Sequence, residues 1–285
     1  MKLATFDAGQ EPELGVVLEN RIVSLSRAAP RLASDMVDLI ARWSEVEPEA
    51  RAIAARAAGA VPLDQVRLLA PIRRPGKIMA IGLNYADHIA ESGAERPAHQ
   101  VWFSKAATAA SGPFDAIRIP RGRAYVDYEA EMVMVIGAGG RYLAKADAPK
   151  AVFGFCVGDD ATERAWQMRT PQWVLGKSFD THAPFGPWIT TADEVPDPHS
   201  LGLRGLVNGE VRQQSNTSQL VFDCWDQIEH LSQAMTLEPG DLIFTGTPGG
   251  VGAAMRPPRF LQAGDRVRIE IDGLGAIDNA CVADA

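Results

Sequence analysis

The sequence predicts a mainly β protein with peripheral helices, an α+β fold, and three observations carry that reading. Short β-rich bursts at residues 2–6, 15–18 and 21–25 alternate with turn residues at the start of the chain. Beyond residue 76 most periodic segments read as strands and few as helices. The helical stretches do not alternate one for one with the strands, which argues against a regularly wound α/β sheet.

The opening bursts suggest a small antiparallel sheet. Helical spacing follows in residues 32–58, through Leu32, Met36, Leu39, Ile40 and Trp43 and again from Ala50 to Ala58; Pro48 should break it into one or two helices. Proline, glycine and basic residues concentrate between Leu69 and Lys77. A boundary near residue 70 is therefore expected, with residues 1–70 a small N-terminal α+β unit and 71–285 a larger second unit. Strands are expected there over 77–81, 102–105, 130–136, 151–157, 203–207, 241–245 and 266–271, and helices over 85–92, 162–169 and 225–235. Gly137-Ala-Gly-Gly140 lacks the spacing of a phosphate-cradling loop and reads as a turn.

Composition narrows the function. A 285-residue chain with 46% hydrophobic and 22% charged residues suits a soluble globular protein with a substantial core. Its net charge of -8 offers no basic face to phosphates, so small molecules are the expected partners, with neither nucleic acid nor membrane. Cys156, Cys224 and Cys281 are far apart and odd in number, and read as reduced, buried thiols. The first residues reach Asp7 without a long apolar run, and no segment reads as a bilayer span, so the expected compartment is the cytoplasm.

The stretch from Val126 to Ile136 concentrates the chemistry. A period of two puts Asp127, Glu129, Glu131, Val133 and Val135 on one face and Tyr128, Ala130, Met132, Met134 and Ile136 on the other. Apolar residues on both faces imply a strand covered on both sides, where carboxylates need a counter-charge. One reading is a hard divalent cation; the other is an exposed strand end paired with Arg121 and Arg123. Asp160 follows the apolar run 152–157 and could be a third oxygen ligand, or cap a helix with Glu163 three residues on. Three carboxylates suit Mg²⁺ or Mn²⁺.

Other residues could act beside them. His88 and Glu91, at i and i+3, share a helix face and form either a solvated pair or a base oriented by a carboxylate, on a segment that Gly82 and Gly93 could free as a lid. Lys177 sits in a turn-rich stretch, where it either snorkels to solvent or stabilises an anion on a substrate. The glycines of 245–252, Gly246 among them, let backbone approach a ligand, and a carboxylate could rest on those amides and Thr247.

Six motifs occur in order: Gly82-Leu-Asn-Tyr-Ala-Asp-His-Ile-Ala-Glu91, Asp127-Tyr-Glu-Ala-Glu131, Asp160-Ala-Thr-Glu-Arg-Ala-Trp-Gln167, Gly176-Lys-Ser-Phe-Asp180, Pro184-Phe-Gly-Pro187 and Pro239-Gly-Asp-Leu-Ile-Phe-Thr-Gly-Thr-Pro248. Together, from about residue 76 onward, they resemble the fumarylacetoacetate hydrolase family. The resemblance implies a mixed β-sandwich roll, a homodimer, and Mg²⁺ or Mn²⁺ held by Glu129, Glu131 and Asp160. It implies His88 and Glu91 as a water-activating dyad with Lys177 as the catalytic cation, and Arg164, Gln167, Thr247, Gly246 and Tyr85 as substrate-binding residues. Asp159 stands where the family often has asparagine.

The activity this implies is hydrolysis of the C3–C4 bond of a 2,4-dioxo acid to pyruvate and a carboxylic acid. The substrate would be an acylpyruvate or a 2,4-diketo-3-deoxy sugar acid such as diketo-deoxyrhamnonate or diketo-deoxyfuconate, whose hydroxyls Ser104, Lys105 and Gln172 could meet. An alternative within the family is an isomerase, decarboxylase or tautomerase acting on hydroxy-heptadiene-dioate or oxaloacetate through an enolate. An alternative of another class is a keto-acid-binding protein without catalysis.

Overall fold

The computed structural model describes residues 1–9 and 11–284. Its largest sheet has twelve strands, ordered Val61–Pro62, Arg21–Ser24, Glu13–Leu18, Lys2–Asp7, Ala183–Thr191, Val152–Asp159, Ala130–Ile136, Leu242–Phe244, Ile78–Gly82 and Val101–Lys105 along its main path. A five-stranded sheet runs Glu210–Asn216, Gly202–Val207, Arg266–Ile271, Gly275–Ala283, Ile117–Ile119. The fold is mainly β with few helices, as the periodicities predict.

The strand Ala130–Ile136 shows how the layers form. All seven of its residues are buried. Val133 and Val135 join one apolar cluster with Phe185, Ile189 and the helical residues Met36, Leu39 and Ile40. Met132, Met134 and Ile136 join another, with Ile269 and Ile277 of the five-stranded sheet and Ile228 and Leu231 of the helix Cys224–Ala234. Period-two alternation thus feeds two cores, one on each side of the large sheet.

The first strand, Lys2–Asp7, pairs antiparallel with Glu13–Leu18 at Leu3↔Val16 and with Ala183–Thr191 at Leu3↔Ile189. Residues before 70 therefore extend the same sheet that carries the strands after it. Pro48 does not break the helix Trp43–Arg56, which runs through it. A proline that close to the start removes a single backbone bond, while Val46, Ala50 and Ile53 remain buried on one face.

Ala183–Thr191 is a nine-residue strand where Pro184 and Pro187 suggested only loop. Its pairing with Val152–Asp159 shifts register between Phe155 and Val157, and neither proline is among the residues paired there; Pro184 faces Ser111 of the short parallel strand Ala110–Ser111 instead. All three cysteines are free and buried. No described helix is long and apolar enough to cross a membrane.

Candidate active site

The carboxylates converge because two antiparallel segments run side by side through them in one register. Ala130 pairs with Asp159 and Glu131 with Gly158 on the neighbouring antiparallel strand. Just beyond this ladder the Asp160 N–H donates to the Glu129 carbonyl at 3.0 Å, and the Glu129 N–H donates to Asp159 Oδ1 at 2.9 Å. Glu129, Glu131 and Asp160 are all buried, and one oxygen from each lies within 4.8 Å of the others. The reading of an exposed strand end paired with Arg121 and Arg123 does not hold. Asp160 caps nothing either: Glu163 caps the short helix Arg164–Gln167, accepting from the Trp166 N–H at 2.8 Å.

Three cations answer these acids. Lys177 Nζ donates to Glu129 Oε2 at 2.7 Å and to Asp160 Oδ2 at 2.6 Å. Lys177 ends the short helix Val174–Lys177 and is only 2% exposed, so it does not snorkel to solvent. Lys105 Nζ donates to Asp160 Oδ1 and, at 3.2 Å, to the Ala161 carbonyl. Arg164 Nη1 lies 2.7 Å from Glu129 Oε1, while its Nε and Nη2 reach Asp127 Oδ2 at 2.9 and 2.8 Å.

Protonation follows from who has a partner. Burial alone would raise Glu129, but the fields of Lys177 and Arg164 and the Lys177 hydrogen bond hold it at about 2. Glu131 is pushed well above the carboxylate range by burial and by the charges of Asp160 and Glu129; Lys177 and the Gly246 N–H, at 2.8 Å, offset only part of this. The two lysines on Asp160 diverge. Lys177 overcomes burial because Asp160 and Glu129 both face it and is raised, whereas burial and the charge of Lys177 outweigh Asp160 at Lys105, which is lowered. Glu131 thus lacks a cation of its own within an all-oxygen cluster. That donor set fits a hard divalent ion and not a thiophilic one.

His88 and Glu91 lie on the helix Ala86–Ser92, with His88 Nδ1 3.3 Å from Glu91 Oε2. The helix is pinned: Glu91 accepts from the Gly250 N–H at 2.9 and 3.0 Å, and Asp87 accepts from Ser215 Oγ. Glycine is required at 250, where φ is +101° and an added Cβ would sit 2.0 Å from the Arg212 carbonyl oxygen. His88, Glu91, Arg164 and Gln167 wall a cavity of about 630 Å³, completed by residues 251–258.

The loop after Phe244 differs from expectation. Its amides are already taken by the protein's own acids, Gly246 by Glu131, Gly250 by Glu91 and Gly252 by Asp127 at 2.8 Å. Thr247 Oγ1 donates to the Ala130 carbonyl at 3.1 Å and accepts from Gln213 Nε2 at 2.9 Å. Tyr85 is fully buried in the second core, its hydroxyl without a hydrogen-bond partner. Ser104 and Gln172 are exposed, and Lys105 faces inward.

Asp127 was not expected to act in the site, and Lys105 was expected to meet substrate hydroxyls, not Asp160. Lys105 shares its strand face with the buried Phe103, so a charge on an apolar face was the available signal. Asp127 accepts from Arg164 and from the Gly252 and Ala253 amides, joining the cavity loop to the arginine that holds Glu129.

Residues 77–282 match the family described as fumarylacetoacetate (FAA) hydrolase C-terminal. The mitochondrial oxaloacetate tautomerase Fahd2a of Rattus norvegicus is 42% identical over 287 residues, covering 99% of this chain and 92% of that protein. Maleylpyruvate hydrolase from Sphingobium sp. SYK-6, solved with manganese(II) and pyruvate, is 36% identical with a TM-score of 0.85 over 100% of both chains. The 5-carboxymethyl-2-hydroxymuconate delta-isomerase of Mycobacterium smegmatis is 32% identical with a TM-score of 0.79, again over 100% of both. The chain belongs to the fumarylacetoacetate hydrolase family of enzymes.

Proposed function

We propose that the protein interconverts the keto and enol forms of a short 2-oxo acid of the oxaloacetate type, in a divalent-metal-dependent reaction. In this reading Glu129, Glu131 and Asp160 hold Mg²⁺ or Mn²⁺, which when bound supplies Lewis-acid polarisation of the 2-oxo acid head. His88 takes the proton from substrate C3. Glu91 engages Nδ1 and orients the ring, leaving Nε2 for the transfer. As the C–H electron pair enters the C2–C3 bond, the C2 oxygen gains negative charge, and the buried Lys177 ammonium stabilises it. Protonation of that oxygen gives the enol, and the reverse path returns the ketone. Gln167 positions the substrate from the cavity wall, where Arg164 holds Glu129 in place, while Gly246 and Thr247 fix Glu131 and the strand end.

The observation that carries this reading is Lys177, a buried ammonium 2.7 and 2.6 Å from two carboxylates, in the same site as a histidine oriented by a glutamate. A cation for an oxyanion and a base for a carbon acid are what enolisation needs. Likeness to oxaloacetate tautomerases over nearly the whole chain favours enolisation without cleavage over the acylpyruvate hydrolysis expected from the motifs. A second reading, C3–C4 hydrolysis with His88 taking its proton from water, is favoured by the likeness to maleylpyruvate hydrolase. The test follows oxaloacetate enol absorbance and pyruvate release from acylpyruvates, with Mg²⁺, Mn²⁺ or EDTA. Metal-dependent enol decay without pyruvate supports the tautomerase; no acceleration over buffer, with pyruvate released from an acylpyruvate, moves the protein to the second reading.

A further inference from the structure

The cavity beside His88 contains one cation with nothing to do. Arg164, which also lines it, is spent: its guanidinium reaches Asp127, Glu129 and, at 3.0 Å, the Gln167 Oε1. Glu91, the acid on the same wall, is held by His88 and the Gly250 amide. Arg256 is exposed and makes no hydrogen bond or ion pair with any described residue.

Its backbone is nonetheless well placed. Pro257 and Pro258 follow it and restrict φ and ψ on its C-terminal side. The same loop is tied down by the Gly252 and Ala253 amides on Asp127, at 2.8 and 3.0 Å, and by the Arg259 N–H on the Gly252 carbonyl at 3.0 Å. Asp127 also binds Arg164, so the loop bearing Arg256 is indexed to the arginine that touches Glu129. In a chain of net charge -8 the cavity thus keeps, in Arg256, a cation with no acid partner among its walls.

We infer that Arg256 is a specificity-determining residue that pairs with the distal carboxylate of a dicarboxylic 2-oxo acid, whose oxo-acid head lies toward Glu129. The inference rests on the reading of the site as one for 2-oxo acids and adds the class of substrate it selects. A guanidinium gives two parallel N–H donors to a carboxylate, a geometry that a methyl or hydroxyl tail cannot use.

The test compares binding of 2-oxoglutarate with that of 2-oxopentanoate, which carries a methyl in place of the distal carboxylate. Both are titrated calorimetrically into metal-loaded wild type, Arg256→Gln and Arg256→Lys, alongside oxaloacetate enol decay. Wild type is expected to prefer the diacid about tenfold. Arg256→Gln loses that preference while its 2-oxopentanoate affinity stays within about twofold of wild type, Arg256→Lys keeps part of it, and KM for oxaloacetate rises without a matching fall in kcat. A preference that survives in Arg256→Gln, or is absent from wild type, overturns the inference. If the preference behaves as expected but oxaloacetate is not enolised, the tautomerase reading fails and the role of Arg256 stands.

Discussion

His182 makes stability below neutral pH a direct measurement of one side chain. It is fully buried, its ring tilted against Phe179 at 5.5 Å; Nε2 lies 3.0 Å from the Arg118 carbonyl, and Nδ1 has no hydrogen-bond partner. A second proton would sit on Nδ1 with no acceptor. Burial therefore lowers its pKa from 6.5 to about 4, aided by the charge of Lys105 and opposed by the Arg118 carbonyl. The unfolded chain takes up this proton near pH 6.5 and the folded one only near 4. Stability contributed by the neutral ring is thus complete above about pH 6.5 and falls away as pH drops toward 4. At ~1.4 kcal/mol for each tenfold change in proton affinity, the loss is about 3 kcal/mol. Urea unfolding of wild type and His182→Gln at intervals from pH 7.5 to 4 tests this. Other groups titrate in both proteins and cancel in the difference. The variant is less stable at pH 7.5, and the gap should close by about 3 kcal/mol at pH 4. Parallel curves for the two proteins would refute a neutral, buried His182.

Three further outcomes are expected. Asp127→Asn removes the charge that binds Arg164 while keeping shape, and should cost about 3 kcal/mol in urea unfolding, because a guanidinium only 15% exposed loses one of its two acids; a change under about 1 kcal/mol would mean Glu129 suffices. Mg²⁺ or Mn²⁺ at about a hundred times its Kd should raise unfolding free energy by about 2.7 kcal/mol in the EDTA-treated protein. Glu131→Gln should weaken that gain, and an equal gain in both would place the ion elsewhere. His88→Ala should lower kcat by about 10² to 10⁴ while oxalate still binds; unchanged turnover would remove His88 as the base.

Much of the site could be read along the chain because its acids sit in short local patterns. Glu129 and Glu131 stood out as charges in an apolar strand, and Asp160 as an acid at the end of another. The partners of those acids could not be read the same way. Lys105 meets Asp160 across 55 residues and Gln213 holds Thr247 across 34, contacts that no local period encodes. Asp160 looked like a cap because its spacing to Glu163 suits one; folding gave that task to Glu163 and left Asp160 for the lysines. The strand Ala183–Thr191 was hidden for the opposite reason, since its prolines signal turns locally while the segments it pairs with, Val152–Asp159 and Ala110–Ser111, lie elsewhere in the chain.

The pairing of Lys2–Asp7 with Ala183–Thr191 also bears on how the molecule can be cut. Ala183–Thr191 is almost wholly buried, and at Ile189 and Thr190 its outer flank is covered by the first strand. A fragment starting near residue 77, where the family match begins, would bare that flank as an open row of backbone donors and acceptors beside apolar side chains. Such a border invites the next molecule to add a strand. The opening residues thus guard the sheet against self-association, and truncation would be felt first as insolubility, before any loss at the carboxylates.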